Sequence, residues 1–146
     1  MFMAAVIRAF LSMLAGMTLA GGLVIAVEAF GAIVHPTPPG FTGTRDEMCE
    51  HVARYPHWVL AVVVAAWSAT AFASTWVATR LGRRIPGVVV GLVLILALAF
   101  NVSMLPYALW FKVAVLACVP IACLLGVALP DRSHLNDRGE RVAALE

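Results

Sequence analysis

Glu28, Asn101 and Lys112 are strongly polar residues set in otherwise apolar sequence. An ionised carboxylate is costly in hydrocarbon, so Glu28 is expected to face protein or a water-filled cavity. On a helix, His35 lies two turns beyond Glu28 on the same face, about 10 Å away. Gly21 and Gly31 share roughly that face, which lets another helix come close. Glu28, Asn101, Lys112 and His35 are therefore the candidates for proton or ligand coupling. Two uses compete. One is a proton- or cation-coupled site built on Glu28. The other is structural: a Glu28–Lys112 ion pair with Asn101 supplying hydrogen bonds, or Lys112 snorkelling to the interface.

A second group is more hydrophilic: His35, Asp46, Glu47, Cys49, Glu50, His51 and His57. On a helix, Glu47 and His51 are four apart and share a face. Together with His35 or His57 they have the donor types that hold zinc. No spacing such as His-Glu-x-x-His is present, so the metal candidates His35, Glu47, His51 and His57 rest on residue type alone. Glu50 and Arg54 form an ordinary i,i+4 pair. The cysteines are Cys49, Cys118 and Cys123. Five residues on a helix separate Cys118 from Cys123 by about 140°, so no disulfide joins them and both are expected to be buried free thiols. No Cys-x-x-Cys pair, phosphate-binding glycine loop or catalytic serine motif occurs, and no cofactor is expected.

The elements that must position these residues follow from composition. The chain has 146 residues, 62 % hydrophobic and only 12 % charged. Soluble domains average about 45–50 % apolar and about 25 % charged. Mean hydropathy is +0.95. A disordered chain and a free-standing soluble enzyme are excluded, and a net charge of +2 is too small to attract nucleic acid. Four apolar runs are long enough to span a bilayer, at about residues 9–34, 58–79, 85–105 and 108–129. None alternates with period 2, so helices are expected rather than barrel strands. The first run is too long for a signal-peptide core of about 7–15 residues and reads as a retained helix. Pro120 is expected to kink the fourth.

Lys and Arg set the orientation. Arg8, Arg80, Arg83, Arg84, Arg132, Arg138 and Arg141 fall on one side, and Arg45, Arg54 and Lys112 on the other. Both termini are thus expected in the cytoplasm, with the loop 35–57 outside and the tail 130–146 inside, its end frayed or weakly helical. Trp58, Tyr107 and Trp110 fall at the outer boundary and Trp76 near the inner one, as in an aromatic belt. Trp67 falls mid-membrane, between helices. In the outer loop, prolines 36, 38 and 39 stiffen the exit from the first span. Thr44 and Glu47 have capping-box spacing, which predicts a short amphipathic helix from Arg45 to Tyr55 on the outer surface. Ser12, Gly16 and Ala20 in the first span, and Ser68, Thr75 and Thr79 in the second, are small-residue stripes that suit packing within one chain or between copies.

Val27-Glu28, Pro36-x-Pro38-Pro39-Gly40, Pro56, and Asn101-x-x-Met104-x-Pro106 followed by Leu109-Trp110-Phe111 together resemble a group of uncharacterised small four-span bacterial integral membrane proteins. The resemblance covers nearly the whole chain and implies a bacterial four-helix fold; it implies no activity. Where that group carries a His-Pro pair, this chain has Tyr107-Ala108, and Ser68, Thr70 and Ser74 replace its second-span glycines.

The expected fold is all-α, one membrane domain over 1–146: an antiparallel four-helix transmembrane bundle with an amphipathic helix in the outer loop. The expected location is the bacterial inner membrane, with the lipid bilayer as partner and a homo-oligomer or larger membrane complex as the assembly. Three functions follow. The foremost is a non-enzymatic accessory or scaffold protein that binds a membrane partner or lipid. The second is an oligomeric proton- or cation-coupled transporter using Glu28. The third and weakest is an outer-face metal- or acid/base-dependent enzyme.

Overall fold

The computed structural model describes the backbone of residues 2–143 and the side chains of residues 3–129. It is all-helical, with no strand among the described residues. The elements are α1 (Phe2–Val34), α2 (Arg45–Ala53), α3 (His57–Gly82), α4 (Arg84–Met104) and α5 (Leu109–Ala143). Four of them, α1, α3, α4 and the stretch of α5 up to Leu129, are long and apolar enough to cross a membrane. Their outward faces carry exposed Ile25, Leu96, Phe100 and Leu124, as lipid-facing surfaces do. The chain is thus a multi-pass membrane protein by length and composition. Pro120 lies within an unbroken α5, and the segment expected to fray beyond Asp131 is helical to Ala143. The last three residues of the expected tail lie outside the described residues.

The centre of the molecule is α3. It packs against α1, α4 and α5, while α1 and α5 make no contact with each other among the described residues. Small side chains explain why α3 takes this place. Thr75 and Ser74 are fully buried, and Thr70 and Thr79 nearly so. The threonine hydroxyls donate to carbonyls of their own helix: Thr70 to Ala66 and Thr79 to Thr75, each at 2.8 Å, and Thr75 to Ala71 at 2.7 Å. Each hydroxyl is therefore satisfied without a partner helix, and the neighbouring backbones can close in.

Two glycines set the distance of approach. A Cβ on Gly16 of α1 would lie 2.9 Å from both Ala78 Cβ and the Ser74 carbonyl. One on Gly126 of α5 would overlap Thr75 Oγ1 and lie 2.6 Å from the Phe72 carbonyl. Ser12 and Ala20 are buried along with Gly16, so the first-span stripe packs within the chain against α3. Near the ends, Arg8 Nε donates to the Leu81 carbonyl at 2.7 Å, and Gly31 lies under the Tyr55 hydroxyl. Along α5, Trp110 meets His57 and Gly126 meets Phe72. The main core forms between α3, α4 and α5 around Phe111, Val115, Leu98 and Val102.

The turn from α3 to α4 is a single residue, Arg83, with φ 74° and ψ −168°. That region is essentially reserved for glycine. The adjacent Gly82 meets a different demand: a Cβ there would run into Ser12.

Helix α2 begins at a complete capping box. Thr44 Oγ1 accepts from the Glu47 amide at 3.4 Å, and Glu47 Oε2 accepts from the Thr44 amide at 3.3 Å. The same carboxylate oxygen accepts from the amide and hydroxyl of Thr42, at 2.9 and 2.8 Å. These bonds hold the Glu47 carboxyl below the ordinary glutamate range.

Candidate functional site: a polar cleft beside Glu28

Glu28 is exposed in the isolated chain. It lines a cleft of about 200 Å³ between α1, α3 and α4, with Val119 of α5 in the wall. Val24 and Glu28 come from α1, Trp67, Thr70 and Ala71 from α3, and Leu94, Ala97, Leu98 and Asn101 from α4. Most of the lining is apolar. Two of the lining residues carry a polar atom that is closed to solvent and has no hydrogen-bond partner: Asn101 Oδ1 and Trp67 Nε1. Trp67 is held from behind by Phe111, with ring centroids 6.0 Å apart. Its indole lies between helices, where its mid-span position put it. Buried polar atoms in proteins are nearly always paired, so an unpaired acceptor and an unpaired donor in one cleft is an unusual arrangement.

The structure brings Glu28 and Asn101 together and leaves Lys112 out. Lys112 does not line the cleft and makes no ion pair with Glu28. The physical reason is helix order in space: α5 packs on α3 away from α1. Similar depth in the membrane did not translate into contact. The expected Glu28–Lys112 pair is therefore corrected. Gly21 is also out of place, since nothing lies within 4 Å of a Cβ there, whereas Gly31 admits Tyr55.

Above the cleft sit Tyr55 and Tyr107, which the sequence reading did not place near Glu28. Burial, and then the Glu28 charge, raise the Tyr55 phenol and push Tyr107 up to about 12. Both therefore remain phenols, hydroxyl donors on the loop side of the carboxylate. No local signal singles out either tyrosine, because both come to this place from segments between helices, Tyr55 between α2 and α3 and Tyr107 between α4 and α5.

His35 stacks on His51 with centroids 4.4 Å apart and leans on Tyr55 at 4.5 Å. His35 Nε2 also approaches the His51 carbonyl at 3.4 Å. Burial, then the neighbouring His35, lower the His51 pKa. His35 and His51 line a second cavity of about 340 Å³ with Phe41, Glu47, Glu50, Arg54 and the loop prolines. Among the described residues, no three of His, Cys, Asp and Glu are grouped to hold a metal. Three of the four metal candidates, His35, Glu47 and His51, line this cavity, and specific contacts already engage all four. His57 Nδ1 accepts from Trp110 Nε1 at 3.0 Å, Glu47 is committed to the capping box, and His35 and His51 face each other's rings. Glu50 pairs with Arg54, as their spacing predicts.

The three cysteines are free: Cys49 half-buried, Cys123 buried against the Gly91 carbonyl at 3.9 Å, and Cys118 exposed. Cys118 was expected to be buried. The angle that keeps it from Cys123 turns it outward.

No protein-family model, curated protein or solved structure matches the chain.

Proposed function

We propose that this is a bacterial inner-membrane protein that acts by binding: a non-enzymatic accessory or scaffold protein that receives a membrane partner or lipid in the cleft beside Glu28. The observation that carries this reading is the unpaired Asn101 Oδ1 and Trp67 Nε1 in the cleft that Glu28 lines. An occupant with complementary polar groups would satisfy all three.

The arrangement in the bilayer belongs to the same proposal. Four helices run antiparallel in sequence, with both termini cytoplasmic and α2 lying amphipathically on the outer face. Seven of the ten Lys and Arg residues would then be inside. The contacts of Arg8 with Leu81 and of Gly31 with Tyr55 fit α1 and α3 running in opposite directions. The bacterial origin rests on the sequence resemblance of the Pro-Pro-Gly and Trp-Phe elements.

A second reading is an oligomeric proton- or cation-coupled transporter using Glu28. It is favoured by the exposure of Glu28 at the cleft, which a second copy would cover. Extraction from native membranes in mild detergent separates the two. Stoichiometric comigration with a larger complex on a native gel is expected for an accessory subunit. Migration as a bare dimer or larger ring, with cation flux in reconstituted vesicles that Glu28→Gln abolishes, would replace it with transport.

A further inference from the structure

We infer that the cleft beside Glu28 binds a membrane-dissolved amphiphile whose head carries a protonated amine next to an oxygen acceptor. The inference rests on reading the cleft as a binding site and names the chemistry of its occupant. Three groups define that chemistry. Glu28 supplies a negative charge with no hydrogen bond or ion pair among the described residues. Asn101 Oδ1 is an acceptor that lacks a donor and Trp67 Nε1 a donor that lacks an acceptor; both are closed to solvent in the isolated chain, so an occupant engages them through a turn of the Asn101 amide and the Trp67 indole toward the cleft. An ammonium group answers the first two, since it carries a positive charge and several N–H donors. A neighbouring hydroxyl or ester oxygen answers the third. The rest of the lining, including Leu94, Leu98 and Val24, is apolar and suits a hydrocarbon body.

Other occupants fit less well. A bare metal cation would find one carboxylate and one amide oxygen, whereas hard cations take about six or more oxygens. A proton would neutralise Glu28 and leave Asn101 Oδ1 and Trp67 Nε1 unsatisfied. An anion would meet the Glu28 charge. The low dielectric of the bilayer strengthens the ammonium–carboxylate attraction, provided the remaining hydrogen bonds are made.

The test uses the full chain in phosphatidylcholine nanodiscs and equilibrium dialysis with N-decylethanolamine, a protonated amine with a nearby hydroxyl. Saturable binding of one molecule per chain is expected. Glu28→Gln should weaken it at least about tenfold, the scale of a lost hydrogen bond to a charged group. Glu28→Asp keeps the charge and should retain binding, which separates loss of charge from loss of fold. Trp67→Phe should erase the preference for N-decylethanolamine over decylamine, and decyltrimethylammonium, with no N–H, should bind poorly. Displacement of the probe by phosphatidylethanolamine in the nanodisc would identify a lipid headgroup as the natural source of the amine. Failure of that lipid to displace it would identify a free amphiphile; either supports the inference. Equal binding by wild type and Glu28→Gln, or no saturable binding by wild type, overturns it. A photo-crosslinking residue at Ala97, on the cleft wall, separates this failure from failure of the binding reading. Capture of one polypeptide in native membranes, without amine binding, overturns the amine and leaves a protein-binding cleft. Absence of both overturns both.

Discussion

His51 and Glu47 show how single residues hold the segment 42–55, His51 by stacking on His35 beyond α1 and Glu47 by its bonds to Thr42 and Thr44. The His51 pKa is lowered from about 6.5 by burial and by His35. A folded value below the unfolded one means that the native stack binds fewer protons, so its stability is complete above the unfolded value and is lost as pH falls through the folded one. Glu47 has the same sign in a lower window, because its carboxyl is held below 4.5 by Thr42 and Thr44. Acidification should therefore loosen residues 42–55 in two steps, the first beginning near pH 6.5 and the second below about pH 4.5. Amide hydrogen exchange of this segment against pH measures both. His51→Phe should remove the upper step and Glu47→Gln the lower. A single step unaffected by either variant would show that these groups do not hold the segment. At this scale the capping box was legible, because it is local: two residues three apart suffice. The company of Glu28 was legible only in part: Asn101 was expected near it, whereas Trp67 lines the same cleft from another helix and was not.

At the scale of elements, packing around α3 depends on where a side chain is absent. Gly126 and Gly21 are both glycines within apolar helices, and nothing in their flanking sequence separates them. In the fold one is pressed against Phe72 and Thr75, and the other faces open space. Gly126→Ala should destabilise the protein by about 1–3 kcal/mol through overpacking. Gly21→Ala should leave stability within about 0.5 kcal/mol, as for an unconstrained surface position. Thermal unfolding in one detergent compares the two, and equal melting temperatures would contradict the packing of α5 on α3. The first-span stripe has a parallel history. Ser12, Gly16 and Ala20 suited an interface within the chain or between copies, and α3 occupies them.

For the whole molecule, the arginine distribution predicts orientation. With the termini inside, Cys49 lies on the outer face. In a Cys118→Ser, Cys123→Ala variant, a membrane-impermeant maleimide added to intact cells should label Cys49 without permeabilisation. Labelling only after permeabilisation would invert the topology. The half-buried setting of Cys49 predicts slower labelling than that of a fully exposed thiol.

The sequence by itself determined that the chain is helical and carries four membrane-length apolar segments. Composition and run length set this, since a bilayer accepts only backbones that satisfy their own hydrogen bonds. It also located the α2 cap and singled out Glu28 as the charge needing a partner. Only the tertiary structure decided which residues share its cleft. Depth along the membrane follows from counting residues, but neighbours depend on the lateral order of helices, and that order follows from the fit of small residues on α3. Because α1 and α5 lie apart, Glu28 shares its cleft with Asn101 and Trp67 and not with Lys112. Among the described residues no three of His, Cys, Asp and Glu come together to hold a metal, and His57 is turned to Trp110.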